Sequence, residues 1–452
     1  MTELDLLADA DARARAYIAG SQTRRAYPDP DALRALGGFD EPLPARGVAP
    51  EETLAMLDRL GSPATVASNG PRYFGFVKGA SLPVAAAAER LVLAWDQSAA
   101  SAVGAPSAAA IERVAGRWIT EILDLPRESA VGFGTSASAC TIGCLTAARR
   151  TLLGRLGWNF DAQGLDGAPP LRVVISETAH ITVKKALRLL GFGLERVILA
   201  PVDGQGRVDP ARLPALDDRT ILCLQAGEVN TGSFDPFAAI LPRARAAGAW
   251  VHVDGAFGLW ARAAAASRPL TEGIELADSW TTDGHKWLNT PYDGAMSICR
   301  DAGALAAAMN SDAAYATAEP DAQKNLTLEF SRRARGVAIW AALRALGREG
   351  VAALVDRHRA QARRLGEGLA AAGFEVLNDV VLNQVLIRAG SPEETEQVRR
   401  AAEASGEIWF GPTIWRGAPA ARLSVCSWRT GDEDIERTID LLARLLRAAR
   451  QK

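Results

Sequence analysis

The sequence predicts an α/β fold in which a mostly parallel sheet carries helices on both faces. Between about residues 71 and 310, short apolar runs rich in β-branched residues alternate with longer segments of helical periodicity. The clearest strands are predicted at 173–175, 197–199, 221–224, 250–253 and 297–299. Helices fit between them, for example at 182–190 and 236–247, although Pro242 should kink the second. Parallel strands need such crossovers, so the alternation favours a parallel sheet.

The predicted elements divide the chain into three regions. Residues 1–70 have helices and loops interrupted by prolines, which is typical of an arm rather than of a core domain. Residues 71–320 form the large α/β domain. Residues 321–452 begin with a long helix at about 331–346 and continue into a smaller α/β domain. There, strands at 374–377, 385–388 and 421–425 could form an antiparallel sheet covered by helices at about 392–404 and 432–449.

Composition and charge exclude several classes of protein. The formal net charge of -2 argues against a chain that binds nucleic acid through bulk positive charge. No apolar run approaches the roughly eighteen residues of a membrane span, and the acidic start lacks the basic region of a signal peptide. We therefore expect a cytoplasmic protein that binds neither nucleic acid nor membrane.

The cysteines and histidines form no recognisable disulfide or metal pattern. Five cysteines, an odd number at scattered positions, favour small buried thiols over a disulfide framework. The four histidines come with no H-E-x-x-H motif and no paired C-x-x-C. We expect no metal site.

Lysine is rare in this chain, since only six of the 51 basic residues are Lys. Arg keeps its proton, whereas a desolvated Lys can become a nucleophilic amine. Lys286 lies in an apolar, turn-rich segment and therefore stands out. A chain biased toward Arg could also retain a few Lys by chance. The rarity of Lys therefore only ranks the candidates for a nucleophilic lysine and does not identify one.

A carboxylate and an amine come at the ends of two predicted strands. The strand at 250–253 runs into Asp254 and small residues, and the segment 278–287 leads from a strand to Lys286. Ligands of parallel sheets bind beyond the carboxyl ends of the strands. Pyridoxal phosphate needs this pair, because an amine must hold its aldehyde and a carboxylate must keep its ring nitrogen protonated. A structural ion pair between Asp254 and Lys286 is the alternative.

Two further signals favour a cofactor site. The run 133–139 opens an apolar helix with small hydroxyl residues, whose free backbone amides could bind a phosphate. An ordinary Ser or Thr N-cap is the alternative, and no Gly-Lys-Thr/Ser follows that would make a Walker motif. His180 follows a strand, where its imidazole could stack on a flat ring, with a structural histidine as the alternative. Four such signals in this order favour the cofactor.

These residues resemble the group II pyridoxal-phosphate-dependent amino acid decarboxylases, which include aromatic amino acid and glutamate decarboxylases. The resemblance runs from about Tyr73 to Arg429 and rests on Tyr73-Phe74-Gly75-Phe76, Ser136-Ala137-Ser138, Ala179-His180, Gly232-Ser233-Phe234-Asp235, His252-Val253-Asp254-Gly255-Ala256 and His285-Lys286-Trp287. It implies the aspartate aminotransferase-like fold of pyridoxal-phosphate-dependent transferases. It also implies a homodimer with active sites at the interface and an N-terminal arm that wraps the partner, which suits residues 1–70.

The resemblance implies roles around the cofactor ring. Lys286 would bind the cofactor covalently, and Asp254 would pair with the ring nitrogen. His180 would stack on one face of the ring, and Ala256 would pack against the other.

The resemblance also implies contacts at the cofactor's edge. Ala137 and Ser138 would bind the phosphate, with His285 nearby. The family's common Gly-Gly near the phosphate is replaced here by Ala137-Ser138, a variant also found among the aromatic decarboxylases. Gln225 lies where the family often has a hydroxyl residue near the ring oxygen.

One departure from the family bears on the reaction. Aromatic amino acid decarboxylases carry a mobile-loop Tyr that protonates the substrate carbon, but residues 316–330 contain none and Tyr315 lies just before them. We predict α-decarboxylation of an L-amino acid, with His180 or Tyr315 as the acid. Oxidative deamination to an aldehyde, or transamination, is the alternative among enzymes. A cofactor-binding protein without turnover is the alternative of another class.

Substrate identity rests on three aromatic residues. Phe74, Phe76 and Trp95 could line an apolar pocket, although aromatic residues in helices and strands are usually core. An aromatic or other hydrophobic amino acid is the predicted substrate. Amino acids with side chains such as those of Ser, Asp or Glu remain alternative substrates.

Overall fold

Helices and strands alternate through the described part of the chain, residues 2–310, 319 and 321–451 of a computed structural model. The helices are α1 (Glu3–Ala19), α2 (Pro30–Ala35), α3 (Pro50–Met56), α4 (Ser62–Ala64), α5 (Pro83–Trp95), α6 (Pro106–Ile122), α7 (Ala137–Arg155), α8 (Phe160–Gln163), α9 (Ile181–Leu189), α10 (Phe237–Ala246), α11 (Ala302–Met309), α12 (Arg335–Ala371), α13 (Pro392–Ser405) and α14 (Asp432–Arg450). The strands are β1 (Ala130–Gly134), β2 (Arg172–Ser176), β3 (Ile198–Ala200), β4 (Thr220–Gln225), β5 (Trp250–Asp254), β6 (Ser279–Asp283), β7 (Ala295–Cys299), β8 (Glu375–Val376), β9 (Gln384–Arg388), β10 (Gly411–Trp415) and β11 (Ala418–Ser424).

The chain forms two compact units that interleave in sequence. One consists of Met1–Ala80, Arg363–Leu377 and Val385–Lys452, and the other of Ser81–Ala362 and Asn378–Gln384. The division at residues 70 and 320 that the sequence predicts stays a prediction. The second unit contains the seven-stranded sheet and all the residues predicted to hold the cofactor.

The seven-stranded sheet has the order β1-β7-β6-β5-β4-β2-β3. Strands β2 to β6 pair in parallel, whereas β7 is antiparallel to both of its neighbours, β1 and β6. Strands β4 and β5 are buried along their whole length, as their continuous apolar runs require. Helix α7 packs against β5, β6 and β7, and α10 packs against β5. The predicted fold class, a mostly parallel sheet with helices and a smaller C-terminal sheet, is confirmed.

A buried ion pair ties two segments of the second unit to the sheet. Both terminal nitrogens of the Arg332 guanidinium contact the carboxylate of Glu112, at 2.7 and 2.9 Å, and both side chains are fully buried. Arg332 also donates to the backbone oxygens of Ala99 and Phe133, at 2.8 and 2.7 Å. The Glu112 carboxylate accepts the amide of Gly336 at 2.9 Å. Such bidentate geometry and extra donors are what a buried charge pair needs.

The first unit contains a four-stranded sheet of order β10-β11-β9-β8, in which β10 pairs antiparallel with β11 and β8 with β9. The sequence predicts three of these strands but not β10, because Gly411 and Pro412 at its start are unfavourable in strands. Helices α1, α2 and α3 have no buried residue. Within the described residues, the helices lack the combination of length and apolarity that crossing a bilayer requires.

Two helices differ in detail from their predicted extents. Helix α10 forms with Pro242 inside it, close to the predicted bounds. Helix α12 starts later than predicted and extends to Ala371 across Gly347, whose φ of 61° is not helical. Glycine adopts this left-handed backbone without a Cβ clash, so it allows a kink there.

Candidate active site

Neighbouring strands bring the predicted cofactor residues to one edge of the sheet. Gln225 ends β4 and Asp254 ends β5, and the two are direct partners in the parallel register. Asp254 is in turn the partner of Thr281 in β6, two residues before Asp283 ends that strand. Because the carboxyl ends of parallel strands share one edge, the side chains that follow them lie around a single site.

Only one of the two carboxylate oxygens of Asp254 accepts a hydrogen bond from the described residues. The residue is 7% exposed, and its Oδ1 accepts the amide of Ala256 at 3.1 Å. Its Oδ2 has no hydrogen-bond donor among the residues that the structure describes. A buried carboxylate needs donors or a positive partner, so Oδ2 is suited to receive a protonated nitrogen.

Lys286 makes its ion pair with a residue that the sequence did not single out. Its Nζ lies 3.0 Å from Oδ2 of Asp283, and the two side chains are 20% and 3% exposed. The alternative of a structural ion pair between Lys286 and Asp254 is therefore not formed. The signal for Asp283 was present in the sequence, since it is the last residue of a strand and lies three positions before Lys286.

The carboxylate of Asp283 has two further neighbours. Its Oδ1 accepts the amide of Ala137, the first residue of α7, at 2.7 Å, and lies 3.6 Å from Nε2 of His285. Nδ1 of His285 accepts the amide of Gly294 at 3.1 Å, which places the imidazole proton on Nε2. Burial lowers the pKa of His285. His285, whose ring stacks on Tyr292 at 4.1 Å between centroids, is thus a neutral imidazole near Asp283 but beyond hydrogen-bond distance from it.

The start of α7 uses some of its amides and leaves one open. Ser136 is the N-cap, and its Oγ accepts the amide of Ala139 at 3.3 Å, as the N-cap alternative expects. The amide of Ala137 donates to Asp283. The amide of Ser138 has no acceptor within the described parts of the chain. A half-buried amide and hydroxyl at a helix start suit a phosphate oxygen, and the phosphate contacts of Ala137 and Ser138 stay predictions.

His180 and Gln225 lie at the ends of the adjoining strands. His180 is half-buried and forms the N-cap of α9, with its Nδ1 2.7 Å from the hydroxyl of Thr182. The amide of the Gln225 side chain donates to the hydroxyl of Thr178 at 3.3 Å. His180 therefore has a structural role as a helix cap. The ring contacts predicted for His180, Gln225 and Ala256 stay predictions.

Asp235 is a second residue whose role the sequence did not reveal. Its two carboxylate oxygens accept the amides of Val208 and Gln225, each at 2.7 Å. Its own amide donates to the backbone oxygen of Gln225 at 3.1 Å. Burial raises the pKa of Asp235 to about 7. This side chain fixes the end of β4, next to Asp254, although the sequence offered only its place in the run Gly232–Asp235.

Trp287 anchors the residue that follows Lys286. Its indole Nε1 donates to Nδ1 of His358 at 3.0 Å, and both side chains are almost fully buried. The two rings are also stacked, with centroids 6.4 Å apart. Anchoring the neighbouring residue restricts the backbone from which the Lys286 side chain extends.

The remaining predicted residues lie in different settings. Tyr315 lies outside the described residues. Within the first unit, Phe74 is buried at 1% exposure, whereas Phe76 is 62% exposed and stacks on Trp409 with centroids 5.4 Å apart. Trp95 is 40% exposed at the end of α5 in the second unit. Of the three aromatic residues considered for a pocket, Phe74 is core.

The groups at this edge fit pyridoxal phosphate. An amine for the aldehyde, a carboxylate oxygen to which no described residue donates for the ring nitrogen, and a helix-start amide without a described acceptor for the phosphate all belong to one sheet edge. Lys286 is also the partly exposed member of its ion pair.

Known proteins match the chain along most of its length. A family model described as "Pyridoxal-dependent decarboxylase conserved domain" matches residues 56–389. The L-2,4-diaminobutyrate decarboxylase of Rhizobium meliloti (strain 1021) is 26% identical over 98% of this chain and 90% of its own. The aromatic-L-amino-acid decarboxylase of Rattus norvegicus is 25% identical over 96% of each chain. The crystal structure of Oryza sativa TDC with PLP and tryptamine superposes with a TM-score of 0.90 at 21% identity, covering 98% of this chain and 97% of that chain, and shares the fold.

Proposed function

The chain belongs to the pyridoxal-dependent decarboxylase family and decarboxylates amino acids with pyridoxal phosphate, and from this premise we propose that its substrate is an aromatic or other hydrophobic L-amino acid. Named relatives support an aromatic substrate, since several are aromatic amino acid decarboxylases. The diaminobutyrate decarboxylase among them makes a basic side chain the competing choice. Measuring carbon dioxide release from each of the twenty amino acids and from 2,4-diaminobutyrate tests the proposal.

Lys286 and Asp254 are the residues we propose to hold the cofactor. The observation that carries this assignment is the unused Oδ2 of Asp254, on a residue 7% exposed, at the strand end beside the one that leads to Lys286. The bound cofactor supplies a protonated ring that accepts the electron pair left when a bond to Cα breaks. Asp254 keeps the ring nitrogen charged, because a carboxylate in contact raises that nitrogen's pKa. Lys286 would hold the cofactor until the substrate amine takes its place, and would hold it again after the product leaves.

Reprotonation of Cα decides which product leaves. His180 and Tyr315 are the two proposed acids. Fast protonation gives an amine, whereas slow protonation leaves time for oxidative deamination to an aldehyde or for transamination. The lack of a Tyr in residues 316–330 favours keeping this alternative. Measuring carbon dioxide, amine, aldehyde and ammonia in one reaction mixture distinguishes the outcomes, and amine in a one-to-one ratio with carbon dioxide is expected.

Replacement of Lys286 by Ala tests the cofactor assignment directly. The parent protein should show visible absorbance that borohydride bleaches, with the label fixed on the peptide that contains Lys286. The Lys286→Ala variant should lose both the label and turnover. Absorbance and label that persist in this variant would contradict the assignment. Normal colour and label without turnover of any amino acid would instead favour a binding protein that has lost activity.

We also propose that the protein is a homodimer. In the first unit, α1 exposes Leu4, Leu7 and Ile18, at 75%, 59% and 45%. In the second unit, α5 exposes Leu93 and Trp95, at 64% and 40%. Apolar residues this exposed on two helices support an interface with a second copy. Sedimentation equilibrium should give twice the chain mass of 47.9 kDa.

A cytoplasmic location is our proposal for the compartment. All five cysteines are free and buried, so the described part of the fold uses them as thiols rather than as disulfides. Free thiols without disulfides are typical of a reducing compartment. Fractionation of cells that make the protein should place it with cytosolic markers.

A further inference from the structure

Asp283 brings a negative charge to the start of α7, where the phosphate contacts are predicted. Its side chain is 3% exposed, and its Oδ1 accepts the amide of Ala137 at 2.7 Å. Ala137 is the first residue of this 19-residue helix. The open amides and the dipole of a helix N-terminus stabilise an anion. The carboxylate of Asp283 therefore already uses one of the groups that a phosphate would need.

The other donors at this helix start are two hydroxyls and an amide. Thr135 and Ser138 are half-buried, and neither hydroxyl has a hydrogen-bond partner among the residues that the structure describes. The amide of Ser138 has no acceptor there either. Because both residues lie within two positions of Ala137, a phosphate that they bind lies beside the carboxylate of Asp283.

Two anions at one helix start repel each other. A phosphate monoester carries about 1.5 to 2 negative charges near pH 7. Water screens the carboxylate of Asp283 only in part, because this side chain is buried. Lys286, whose Nζ lies 3.0 Å from Oδ2, offsets one negative charge. His285 offsets none, since burial lowers the pKa of its imidazole and Nε2 lies 3.6 Å from Oδ1. A single positive contact of Asp283 would thus face a carboxylate and a phosphate together.

We propose that Asp283 is an internal anion that competes with the cofactor phosphate for the start of α7 and thereby weakens phosphate binding. The inference rests on the proposed cofactor site. It concerns the phosphate and not the bond to Lys286, because a carboxylate stabilises the nitrogen of Lys286 equally when it is a free ammonium and when it is bonded and protonated. The effect should therefore be seen with ligands that carry a phosphate and be absent from a ligand that lacks one.

Asp283→Asn tests the inference, because it keeps an oxygen for the Ala137 amide and removes the charge. We expect the full-length variant apoprotein to bind inorganic phosphate about tenfold more tightly in a calorimetric titration, because one unit charge leaves the side of an anion site. The affinity for pyridoxal phosphate, followed by visible absorbance, should rise by a similar factor. Pyridoxal, which lacks the phosphate, should bind the parent and the variant about equally.

Asp278→Asn is the matched control. Asp278 is a carboxylate before the start of the same strand, β6, and its Oδ2 accepts the amide of Val251 at 2.7 Å. It loses the same charge at the other end of the strand, so all three affinities should stay close to those of the parent protein.

Asp283→Ser is a second neutral replacement and should repeat the result of Asp283→Asn. Equal gains for pyridoxal and pyridoxal phosphate would overturn the inference, because the effect would then not depend on the phosphate. Unchanged affinity for inorganic phosphate and pyridoxal phosphate in both variants would overturn it as well. A parent protein without a borohydride-reducible chromophore on Lys286 would instead overturn the proposed function.

Discussion

The indole of Trp287 donates a hydrogen bond to Nδ1 of His358 across 71 residues of sequence, at 3.0 Å. Trp287 is the neighbour of Lys286, so this bond holds the segment from which the amine extends. Neither side chain is more than 1% exposed. A lost partner in such a setting leaves a polar atom that water cannot reach.

Trp287→Phe should destabilise the protein and disturb its cofactor. Phe keeps most of the packing but leaves Nδ1 of His358 without this donor, at a cost of roughly 1–3 kcal/mol in unfolding free energy. Urea unfolding and visible circular dichroism measure the two effects. Trp250→Phe is the control, because Trp250 is also buried and donates to Ser279 at 3.1 Å. It should lower stability without changing the cofactor signal, and an equal change in both variants would contradict the anchoring role.

Asp254→Asn should reduce turnover far more than cofactor binding. The amide cannot stabilise a positive ring nitrogen, and charged hydrogen bonds contribute roughly 1.5–3 kcal/mol, which corresponds to about 10- to 150-fold in rate. Asp254→Glu keeps the charge and should recover part of the loss. The readout is carbon dioxide release under single-turnover conditions. Turnover that stays at the parent rate in Asp254→Asn would contradict a pairing with the ring nitrogen.

Tyr315→Phe and His180→Asn should have different effects on the products. We expect Tyr315→Phe to keep releasing carbon dioxide while part of the amine is replaced by aldehyde, because Cα loses its proton donor. His180→Asn keeps a capping oxygen for the start of α9, so the fold should persist. We expect it to slow carbon dioxide release itself. Product ratios that change only in His180→Asn would make the histidine the acid.

Asp235 should make stability depend on pH. Its pKa rises from 3.8 to about 7 on folding, mainly through burial. Between these values the folded chain holds a proton that the unfolded chain has lost, so this group's contribution to stability falls as pH rises toward 7 and levels off above it. Relative to Asp235→Asn, which does not titrate, the parent should lose up to about 4 kcal/mol from pH 4 to pH 7. Urea unfolding of both proteins across that range measures the difference, and an opposite slope would contradict it.

Glu112→Gln should be among the more destabilising single changes. It leaves the guanidinium of Arg332 buried without its counter-charge, which typically costs about 3–5 kcal/mol. Glu396→Gln is the control, since Glu396 also pairs with arginines, Arg399 and Arg400, but at 38% exposure. Surface pairs contribute about 0–1 kcal/mol. Urea unfolding should therefore separate the two variants, and equal losses would show that burial does not decide the effect.

Most of the fold prediction rests on the pattern of apolar residues along the sequence. Strands β2, β4 and β5 are continuous apolar runs because helices cover them, and such runs are visible in the sequence. Strand β1 was missed, because Gly132 and Gly134 interrupt its apolar run. Gly132 is needed there, since a Cβ would lie 2.2 Å from the backbone oxygen of Leu326. Close approach of distant backbone segments leaves no trace in local patterning.

The residues of the candidate site were predicted more completely than their contacts. Strand ends and a helix start identify Asp254, Lys286 and the beginning of α7, because those positions follow from chain order. The partner of Lys286 depends on side-chain directions, and there the structure selects Asp283 over Asp254. The role of Asp235 was equally hidden, since its hydrogen bonds reach backbone amides rather than a motif.

The antiparallel strand β7 has a consequence for protein synthesis. It lies between β1 and β6 and is antiparallel to both. Strands β1 and β6 therefore run in the same direction and end at the same edge, where Ala137 can meet Asp283. A growing chain that has emerged only as far as Lys286 already contains every residue predicted to hold the cofactor. It still lacks the strand that brings α7 to them. We expect a nascent chain to gain its cofactor only after Cys299 has left the ribosome.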